Sequence, residues 1–552
     1  MNDMTGMQAF GQAMDAGAMD VSVEIGRVLN VSGGGSQITL DGPILAMLNA
    51  SPDPSIATAG NLGSHIKLKV GRCWLVAVVR AMRLAEADGD LILADVEFLG
   101  EGLSIPDQDR FSQFRRGVTR YPVPGTRIYP VDSADLKQMF ATDDRPHIEI
   151  GTVYPTSDIR AALYVDSLLG KHFALLGSTG TGKSTATALI LHRICELAPN
   201  GHIVMIDPHG EYSDAYKNTG AIFDVSNLAM PYWLMNFEEH CEVIVTARGD
   251  DRQIDCDILA KCLLAARQRN RAAEGIGKIT VDSPIPYLLT DLTTIISNEM
   301  GKLDKASTSA PYMRLKTKID EIRTDPRYSF MFSGMLIGDI MADFLAKIFR
   351  LPGNGKPISI IDVSGVPSDI VSVVVAMLSR MVFDYAIWAR GEEQHPILLV
   401  CEEAHRYVPS DRVTTGSAVR TVLERIAKEG RKYGVSLGLV TQRPSDLAEG
   451  VLSQCGTIIA MRLNNDRDQK FVRSAMPEGA RAFLDAIPAL RNREAIVCGE
   501  GVSIPIRVAF DELDINRRPA SHDPVFSELW RRQGGETETL ARIIQRWRTQ
   551  GR

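Results

Sequence analysis

The sequence predicts an α/β protein in which a small β-barrel precedes an α/β core and an all-helical segment interrupts that core. Three observations predict this fold class. Apolar and polar residues alternate from about Asp20 to Val131, short apolar strands alternate with long helical stretches from Ile148, and helical periodicity dominates from Glu238 to Arg350. The chain has 552 residues, which exceeds the size at which one hydrophobic core stops growing, so several domains are expected.

The N-terminal domain, residues 1–135, is predicted to be a small antiparallel barrel or sandwich. Val21, Val23 and Ile25 alternate with polar residues, and Trp74–Val79 and Leu91–Leu99 add longer apolar runs. Turn sequences separate the runs: Gly33-Gly34-Gly35, Asp41-Gly42-Pro43 and Asp88-Gly89-Asp90. The alternative interpretation is a strand-rich region within a larger α/β domain.

The α/β core is predicted at residues 148–237 and 351–515, with the helical insertion at 238–350 between its two parts. Within the insertion, Ser283 and Pro284 are typical of a helix cap followed by proline at the first helical position. A tail at 516–552 should hold a short strand-to-helix transition and a final helix, Thr537–Arg548. The predicted core strands are His172–Leu176, His202–Asp207, Ile358–Asp362, Ile397–Cys401 and Leu437–Thr441.

Composition restricts the compartment and the partners. Lys and Arg number 61 and Asp and Glu 68, a net charge of −7, so any contact with nucleic acid must come from a local basic patch or pore. Eight cysteines without C-x-x-C spacing disfavour a disulfide scaffold and a structural zinc site, and fit a reducing compartment. The first residues lack the basic region of a signal peptide, and Ile370–Trp388 contains four polar residues, which we interpret as too polar to span a bilayer. We therefore expect a cytoplasmic protein with no membrane contact.

The strongest motif is Gly177-Ser-Thr-Gly-Thr-Gly-Lys-Ser184, which matches the phosphate-binding loop pattern G-x-x-x-x-G-K-S. Its glycines permit successive backbone N–H groups to face an anion, and a helix that starts directly afterwards points its N-terminal dipole at the same anion. We expect an exposed Lys183 to pair with the β- and γ-phosphates and Ser184 to ligate Mg²⁺. The predicted nucleotide-binding residues are Gly177, Ser178, Thr179, Gly180, Thr181, Gly182, Lys183, Ser184 and Thr185.

A second motif narrows the class of nucleotide-binding protein. The apolar strand Ile397–Cys401 ends in Glu402 and Glu403; the first acid suits support of Mg²⁺ and the second suits orientation of the attacking water. Two adjacent carboxylates beside polyphosphate are costly unless a metal is bound there, although a solvated strand exit is the structural alternative. The base-reading N-K-x-D of GTPases is absent, and small-molecule kinases rarely carry the second acid. ATP hydrolysis coupled to motion is the favoured function.

Three further residues are candidates for the chemistry. Asp207 ends a buried strand in Asp-Pro-His-Gly-Glu-Tyr, where it could join the metal or water shell or simply form a turn. Gln442 follows another strand, where an amide can hydrogen-bond the γ-phosphate and sense hydrolysis. Arg431 lies between Gly430 and Gly434 at the end of a helix predicted over Ser417–Tyr433, and it is either a cation presented to a neighbour's γ-phosphate or part of a solvated face.

The motifs GSTGTGKS, DPHGEY, CEEAH, EGRKYG and TQRPSDL occur in this order, and together they resemble the HerA family, hexameric DNA translocases of the FtsK/HerA branch of RecA-like P-loop ATPases. The resemblance covers nearly the whole chain and implies a RecA-like core, with the N-terminal barrel and the helical insertion also expected. It implies that Lys183 and Ser184 bind ATP and Mg²⁺, and that Glu402 supports the metal. It further implies that Glu403 is the catalytic base, Gln442 the γ-phosphate sensor and Arg431 the finger that acts on a neighbouring subunit.

The resemblance also implies a homohexamer with double-stranded DNA through a central pore and a partner effector, either a nuclease of the NurA type or a sirtuin-like NADase in anti-phage defence. At the position of Lys171 the family often has arginine. Lysine cannot form the two parallel hydrogen bonds that an arginine guanidinium makes. Weak candidates for pore contacts are Lys217 and the stretch Arg462–Arg473. Two alternatives stay open: a secretion or conjugation ATPase, and a ring that mainly scaffolds a partner enzyme.

Overall fold

The computed structural model describes residues 23–85, 88–106, 108–302, 306–333, 338–411, 417–476, 480–520, 524–531 and 537–549. It divides the chain into two compact units. The first comprises Met1–Arg193, Gln442–Ser445 and Cys455–Glu512, and the second comprises Ile194–Thr441, Asp446–Gln454 and Leu513–Arg552. The domain boundaries expected from the sequence stay predictions.

The strands are β1 (Gly26–Val31), β2 (Gly35–Asp41), β3 (His65–Val70), β4 (Cys73–Ala85), β5 (Asp88–Ser104), β6 (Phe111–Arg116), β7 (Arg127–Pro130), β8 (His147–Val153), β9 (Arg160–Tyr164), β10 (Phe173–Leu176), β11 (His202–Asp207), β12 (Gly220–Phe223), β13 (Ile358–Asp362), β14 (Ile397–Cys401), β15 (Val435–Thr441), β16 (Thr457–Met461), β17 (Glu494–Gly499) and β18 (Ile506–Phe510). The helices are α1 (Gly42–Leu48), α2 (Pro54–Ala57), α3 (Ser133–Met139), α4 (Val165–Gly170), α5 (Lys183–Leu197), α6 (Ser213–Tyr216), α7 (Phe237–Ile244), α8 (Asp250–Gln268), α9 (Leu289–Met300), α10 (Ala306–Thr324), α11 (Ser329–Phe332), α12 (Met341–Phe349), α13 (Val371–Trp388), α14 (Ser417–Glu429), α15 (Glu449–Leu452), α16 (Asp466–Ala475), α17 (Arg481–Leu484), α18 (Phe526–Leu529) and α19 (Thr537–Thr549).

The N-terminal part of the first unit is a closed barrel, as predicted. Its strands lie in the order β2-β1-β7-β3-β4-β5-β6, and pairing of β2 with β5 closes the sheet. Closure leaves fewer unpaired strand edges, and the inward-facing apolar residues, such as Ile38, Leu68 and Val79, form one buried cluster.

Two local predictions for the barrel were wrong. The segment Val23–Ile25 precedes β1 and is not a strand, although the Ile25 N–H donates to the carbonyl of Ile128 and its side chain is buried; Val21 lies outside the described residues. Asp41-Gly42-Pro43 is the start of helix α1 and not a turn. The Asp41 carboxylate accepts a hydrogen bond from the Ile44 N–H at 2.9 Å, because the residues that favour turns also cap helices.

The rest of the first unit contains six strands in the order β10-β16-β17-β18-β8-β9. Strand β10 pairs in parallel with β16, whereas β17, β18, β8 and β9 follow antiparallel. All four residues of β10 are buried, and α5 begins seven residues after it. This arrangement places the loop of residues 177–182 between a buried strand and a helix.

The second unit contains five parallel strands in the order β12-β13-β11-β14-β15. The predicted strands β11, β13 and β14 have the expected bounds, and β15 begins two residues earlier than predicted. Parallel strands bring their carboxyl ends to one edge, so Asp207, Glu402 and Thr441 lie at the same edge of this sheet.

Helices α7 to α12 form the predicted all-helical insertion. The prediction that Ser283 and Pro284 begin a helix was wrong, since α9 begins at Leu289. The intervening segment is neither helix nor strand and is buried at Tyr287, whose carbonyl accepts a hydrogen bond from the Tyr232 hydroxyl. A tertiary contact therefore overrides the local helix signal.

Helix α13 has a mean hydropathy of 1.5, and by length and composition alone it would suffice to cross a membrane. Our prediction that its polar residues exclude this was therefore too strong. In the structure it packs as a core helix of the second unit, with Val374, Val375, Leu378 and Val382 fully buried. In the tail, helix α19 has nearly the predicted bounds, and the described residues after Asp514 form a 3₁₀ turn and helix α18 in place of a strand.

Candidate functional site

The phosphate loop occupies residues 177–182 of the first unit, between β10 and α5. Gly180 and Gly182 have φ values of +78° and +96°, a conformation that side-chain-bearing residues rarely adopt. A Cβ added at Gly177 would lie 2.9 Å from the Cβ of Met461. The three glycines are thus required by backbone geometry and by close packing, and they allow the nest of N–H groups that an anion needs.

Neighbouring segments of the first unit hold this loop in place. The Thr181 hydroxyl donates to the carbonyl of Ser178 at 2.8 Å, and the N–H of Arg493 donates to the carbonyl of Thr181 at 3.0 Å. The N–H of Asn464 donates to the Ser178 hydroxyl at 3.1 Å. These contacts preorganise the loop, which lowers the ordering cost of binding phosphate.

Lys183 begins α5 and is buried, with 9% of its surface exposed. The expectation of an exposed lysine was therefore wrong, because this helix is buried along most of its length. Ser184 and Thr185 are half-buried in the same first turn. All three residues lie at the helix N-terminus, where the dipole favours negative charge.

Gln442, the predicted sensor, is in direct contact with the phosphate loop. The Thr179 hydroxyl donates a hydrogen bond to Oε1 of Gln442. Thr179 and Gly180 are exposed at the tip of the loop. The first unit therefore brings the sensor amide to the part of the loop that faces solvent.

The carboxylates lie in the second unit at the end of β14. Glu402 and Glu403 are 3% and 5% exposed, so neither is the solvated strand exit considered from the sequence. The Tyr212 hydroxyl donates to Oε2 of Glu402 at 3.0 Å, and the Glu402 N–H donates to the carbonyl of Ile206 at 3.1 Å. Glu402 is thus fixed by a side chain and by its backbone.

Asp207 is fully buried at the end of β11, and backbone N–H groups surround its carboxylate. Oδ1 accepts from the N–H groups of His209 at 3.1 Å and Gly210 at 2.9 Å, and Oδ2 accepts from the N–H of Tyr212 at 2.9 Å. Burial raises the pKa of Asp207, whereas these hydrogen bonds lower it. Asp207 therefore shapes the turn that positions Tyr212. A direct role of Asp207 in the chemistry stays a prediction.

Glu403 adopts the left-handed conformation, with φ of +51°, which turns the chain sharply after Glu402. Nδ1 of His405 lies 3.3 Å from Oε2 of Glu403 and 3.0 Å from Oγ1 of Thr441. His405 therefore hydrogen-bonds the last residue of β15 and lies beside the predicted water-orienting acid. A buried carboxylate with an adjacent imidazole can accept a proton from water or hold that water in position.

Arg431 lies in a 3₁₀ turn, Gly430–Tyr433, which continues α14 with tighter geometry than the predicted helix. It is exposed, and its guanidinium has no hydrogen-bond or ion-pair partner among the residues that the structure describes. By contrast, the guanidinium of Arg425 lies 4.9 Å from the Phe383 ring centre and 3.8 Å from a Glu429 carboxylate oxygen. Arg431 is therefore the better placed of the two to reach another molecule.

Three of the other basic candidates, Lys171, Arg462 and Arg473, have partners within their own unit. Lys171 forms an ion pair with Glu500, so this departure from arginine engages a local acid. Arg462 donates to Oδ1 of Asn492 at 2.9 Å, and Arg473 forms an ion pair with Asp485 at 2.9 Å. Lys217 is exposed after α6.

The oxygen donors fit Mg²⁺. The Ser184 hydroxyl of the first unit and the Glu402 carboxylate of the second unit are each hard donors, and in the described ranges no group of three or more His, Cys, Asp or Glu side chains could hold a metal ion. Magnesium at phosphate-transfer sites uses few protein ligands and takes the others from phosphate and water. Each of these oxygen donors, taken within its own unit, is therefore of the kind that suits a metal arriving with a nucleotide; their joint role as Mg²⁺ ligands stays a prediction.

Sequence reasoning assigned no role to Tyr212, His405, Thr179 as a partner of Gln442, or Arg493. Tyr212 and His405 belong to the motifs DPHGEY and CEEAH, so the sequence marks their positions. It does not show which residues they contact. The hydrogen bond of Tyr212 reaches a residue 190 positions away, which only the tertiary fold reveals. Arg493 carried no sequence signal at all.

The family model and the two relatives described here are all named as helicases. The family model described as "Helicase HerA, central domain" matches residues 148–382. A probable helicase from Methanocaldococcus jannaschii is 28% identical over 440 residues, covering 76% of each chain. The DNA double-strand break repair helicase HerA from Pyrococcus furiosus is 29% identical over 425 residues, covering 70% of this chain and 73% of the relative. Among solved structures, VirB4 of Thermoanaerobacter pseudethanolicus aligns with a TM-score of 0.49 at 14% identity, over 67% of this chain and 98% of that chain.

Proposed function

Because this chain belongs to the HerA family of P-loop ATPases, we propose that it hydrolyses ATP to drive movement along double-stranded DNA as a translocase or helicase. The observation that carries the proposal is the direct hydrogen bond between Thr179 of the phosphate loop and Gln442. A polar amide held on a phosphate loop is suited to detect whether a γ-phosphate is present. Motion coupled to hydrolysis needs such a sensor, whereas simple nucleotide storage does not.

We assign a role in the chemistry to each of the candidate residues. The phosphate loop and the first residues of α5, together Gly177–Thr185, bind the polyphosphate of ATP, with Lys183 neutralising the β- and γ-phosphates. Glu403 orients and deprotonates the attacking water, and His405 holds Glu403 in position. Ser184 and Glu402 would hold Mg²⁺, which supplies positive charge against the phosphate oxygens.

Arg431 supplies the remaining cation to a neighbouring copy. Its exposure and lack of a partner in the described part of the chain support this role, since a finger must be available to another molecule. A ring of six copies with duplex DNA in the central pore would use it at each interface. The net charge of −7 requires that basic residues concentrate in that pore, and Lys217 is a better candidate than Arg462 or Arg473, which have partners in their own subunit.

The pathway is proposed from the relatives. The relative from Pyrococcus furiosus is named for DNA double-strand break repair, which supports DNA end processing with a partner nuclease of the NurA type. A sirtuin-like NADase or another effector in anti-phage defence is the second candidate. The buried position of Glu402 and Glu403 supports hydrolysis as the main activity over a purely scaffolding ring.

The decisive experiment measures ATP hydrolysis with and without blunt double-stranded DNA at increasing salt. We expect duplex DNA of any sequence to stimulate hydrolysis, and DNA affinity to fall by about 10³-fold or more between about 50 and 200 mM salt, because phosphate contacts dominate. The Lys183→Ala variant is the control, since it should bind DNA without hydrolysing ATP. Hydrolysis that is indifferent to duplex DNA would favour the secretion-type or scaffold alternatives.

A further inference from the structure

Two cysteine side chains meet between the first two helices of the insertion. Cys241 lies on α7 and Cys256 on α8, and both are free cysteines. Cys241 is buried, whereas Cys256 is half-buried. The Cys241 thiol shares a hydrogen bond with the Cys256 thiol. The spacing of the two residues is not C-x-x-C, so it is the fold that brings the two thiols together.

The contacts at the adjoining helix ends explain why the thiols meet. The N–H of Val245, which ends α7, donates to the carbonyl of Cys241 at 3.0 Å. The Arg252 guanidinium of α8 donates to the carbonyl of Val245 at 3.4 Å. Arg252 and Cys256 are four residues apart on α8 and therefore share one face of that helix. One helical turn away from the contact of Val245 with Arg252, each helix thus presents a cysteine to the other.

The two sulfurs differ in how they can react. Cys256 is the more exposed of the pair, so a dissolved oxidant reaches it first. Burial and the hydrogen bond with Cys256 raise the pKa of the Cys241 thiol, whereas the positive charge of Arg252 favours the thiolate of Cys241. An accessible cysteine beside a buried one suits oxidation at the first sulfur and resolution by the second.

We propose that Cys241 and Cys256 form a reversible oxidation site, which hydrogen peroxide converts into a disulfide between α7 and α8. The Cys256 thiolate attacks one peroxide oxygen, the O–O bond breaks, and the departing hydroxide takes up the thiol proton as water, which leaves a sulfenic acid on Cys256. Sγ of Cys241 then attacks Sγ of Cys256, the S–O bond breaks, and the hydroxyl group leaves as water with the proton of Cys241. Two thiols are oxidised and one peroxide is reduced to two water molecules, and a dithiol reductant reverses the bond.

The disulfide would tie the first part of α8 to a helix that is anchored on the core of the second unit. Glu239 of α7 is fully buried and forms an ion pair with Arg380 of α13 at 2.8 Å. Oxidation would therefore restrain the insertion where it joins the core. The site goes beyond the proposed function and uses none of the residues assigned to ATP hydrolysis, so the two proposals can fail separately.

Peptide mapping of the full chain tests the site without nucleotide or DNA. The protein is treated with hydrogen peroxide, alkylated and digested without reduction, and mass spectrometry identifies the linked peptides. We expect the Cys241 and Cys256 peptides to be joined in a product that runs as a monomer on a non-reducing gel, and dithiothreitol to release them. A Cys256 that stops at the sulfenic or sulfinic acid, or that is linked to another cysteine or another copy, would overturn the proposal. Two unreacted thiols would also overturn it.

Single substitutions separate the roles of the two cysteines. Cys241→Ser removes the resolving thiol, so labelling of the Cys256 sulfenic acid by dimedone should rise by about tenfold or more over the wild type. Cys256→Ser should abolish the linked peptide and leave Cys241 as a thiol, because the exposed sulfur is missing. Unchanged dimedone labelling in Cys241→Ser would contradict resolution by Cys241.

Cys262→Ser is the matched control. Cys262 is buried further along α8, and its replacement should change the yield of the linked peptide by less than about twofold, because it contributes neither sulfur. Loss of the linked peptide in this control as well would show that packing of α8, and not the pair itself, determines the oxidation. Circular dichroism would confirm that each variant keeps its helical content.

Discussion

The Tyr212 hydroxyl donates a hydrogen bond to Oε2 of Glu402 at 3.0 Å, and both side chains are buried in the second unit. Tyr212 is held in turn by its own N–H, which donates to the Asp207 carboxylate at 2.9 Å. The motif Asp-Pro-His-Gly-Glu-Tyr thus positions Glu402, an acid that follows a different strand. Asp207 contributes to the site through this turn.

Replacing Tyr212 with phenylalanine should impair ATP hydrolysis. The variant leaves the buried Glu402 carboxylate with one fewer donor, and a hydrogen bond to a charged group contributes about 1.5–3 kcal/mol. We expect the Mg²⁺ concentration at half-maximal hydrolysis to rise, or kcat to fall, by about ten- to hundredfold. Steady-state ATPase assays across Mg²⁺ concentrations measure both.

Tyr407→Phe is the matched control. Tyr407 is also buried, and its hydroxyl has no hydrogen-bond partner in the described ranges. Its removal should change hydrolysis by less than about twofold, because no interaction is lost. Equally impaired hydrolysis in both variants would show that hydrolysis depends on general packing and not on the hydrogen bond to Glu402.

The strands of the second unit could be predicted from the sequence because buried parallel strands are continuous apolar runs. Strand β11 ends at Asp207 and β14 ends at Cys401, as expected. Alternation of polarity is a weaker signal, since Val23–Ile25 alternates without forming a strand. The contacts of His405 with Glu403 and Thr441 could not be predicted, because they depend on how β14 and β15 align.

Glu403→Gln should bind ATP with nearly unchanged affinity and hydrolyse it at least about a hundredfold more slowly. Glutamine keeps the shape of the side chain but cannot accept a proton from water. Fluorescent-nucleotide titration measures binding, and phosphate release measures hydrolysis. Lys183→Ala should differ by losing hydrolysis together with much of the nucleotide affinity. Near wild-type turnover in Glu403→Gln would show that another group orients the water.

The stability of the second unit should fall below pH 6.5 because of His240. Its Nδ1–H donates to the carbonyl of Asn236 at 2.6 Å, Nε2 accepts from the Tyr287 hydroxyl at 2.8 Å, and burial lowers the pKa of His240 to about 3. A lowered folded-state pKa means that the unfolded chain binds the extra proton between about pH 6.5 and 3. The free energy of unfolding should therefore decrease as pH falls through this range, by about 1.4 kcal/mol per pH unit.

Urea unfolding at pH 7, 6 and 5 checks this prediction. In His240→Gln the dependence on pH should weaken, although the variant is less stable at pH 7 because its hydrogen bonds change. The first unit should keep its own pH dependence in this variant, because burial lowers the pKa of His65, which lies in that unit, to about 4. An identical pH dependence in the variant and the wild type would rule out His240 as a source.

Arg431→Ala should bind ATP normally and lose hydrolysis. Arg431 is exposed in the 3₁₀ turn between Gly430 and Gly434, and charge that develops on the γ-phosphate favours a guanidinium. An arginine supplied by another molecule contributes about 10³- to 10⁵-fold in rate in phosphoryl-transfer enzymes. Lys432→Ala is the matched control, since Lys432 is an exposed neighbour in the same turn. Its replacement should leave the rate of ATP hydrolysis nearly unchanged.

Mixing variants distinguishes action on a neighbouring copy from action within one chain. Arg431→Ala chains carry an intact phosphate loop, and Lys183→Ala chains carry an intact Arg431. If Arg431 acts on the neighbouring copy, mixed assemblies should hydrolyse ATP faster than either variant alone. ATPase rates across mixing ratios, after mass spectrometry shows that mixed assemblies form, give the answer. Mixed assemblies no faster than either parent would place Arg431 in its own subunit's site, and full activity of Arg431→Ala alone would make it a solvated surface residue.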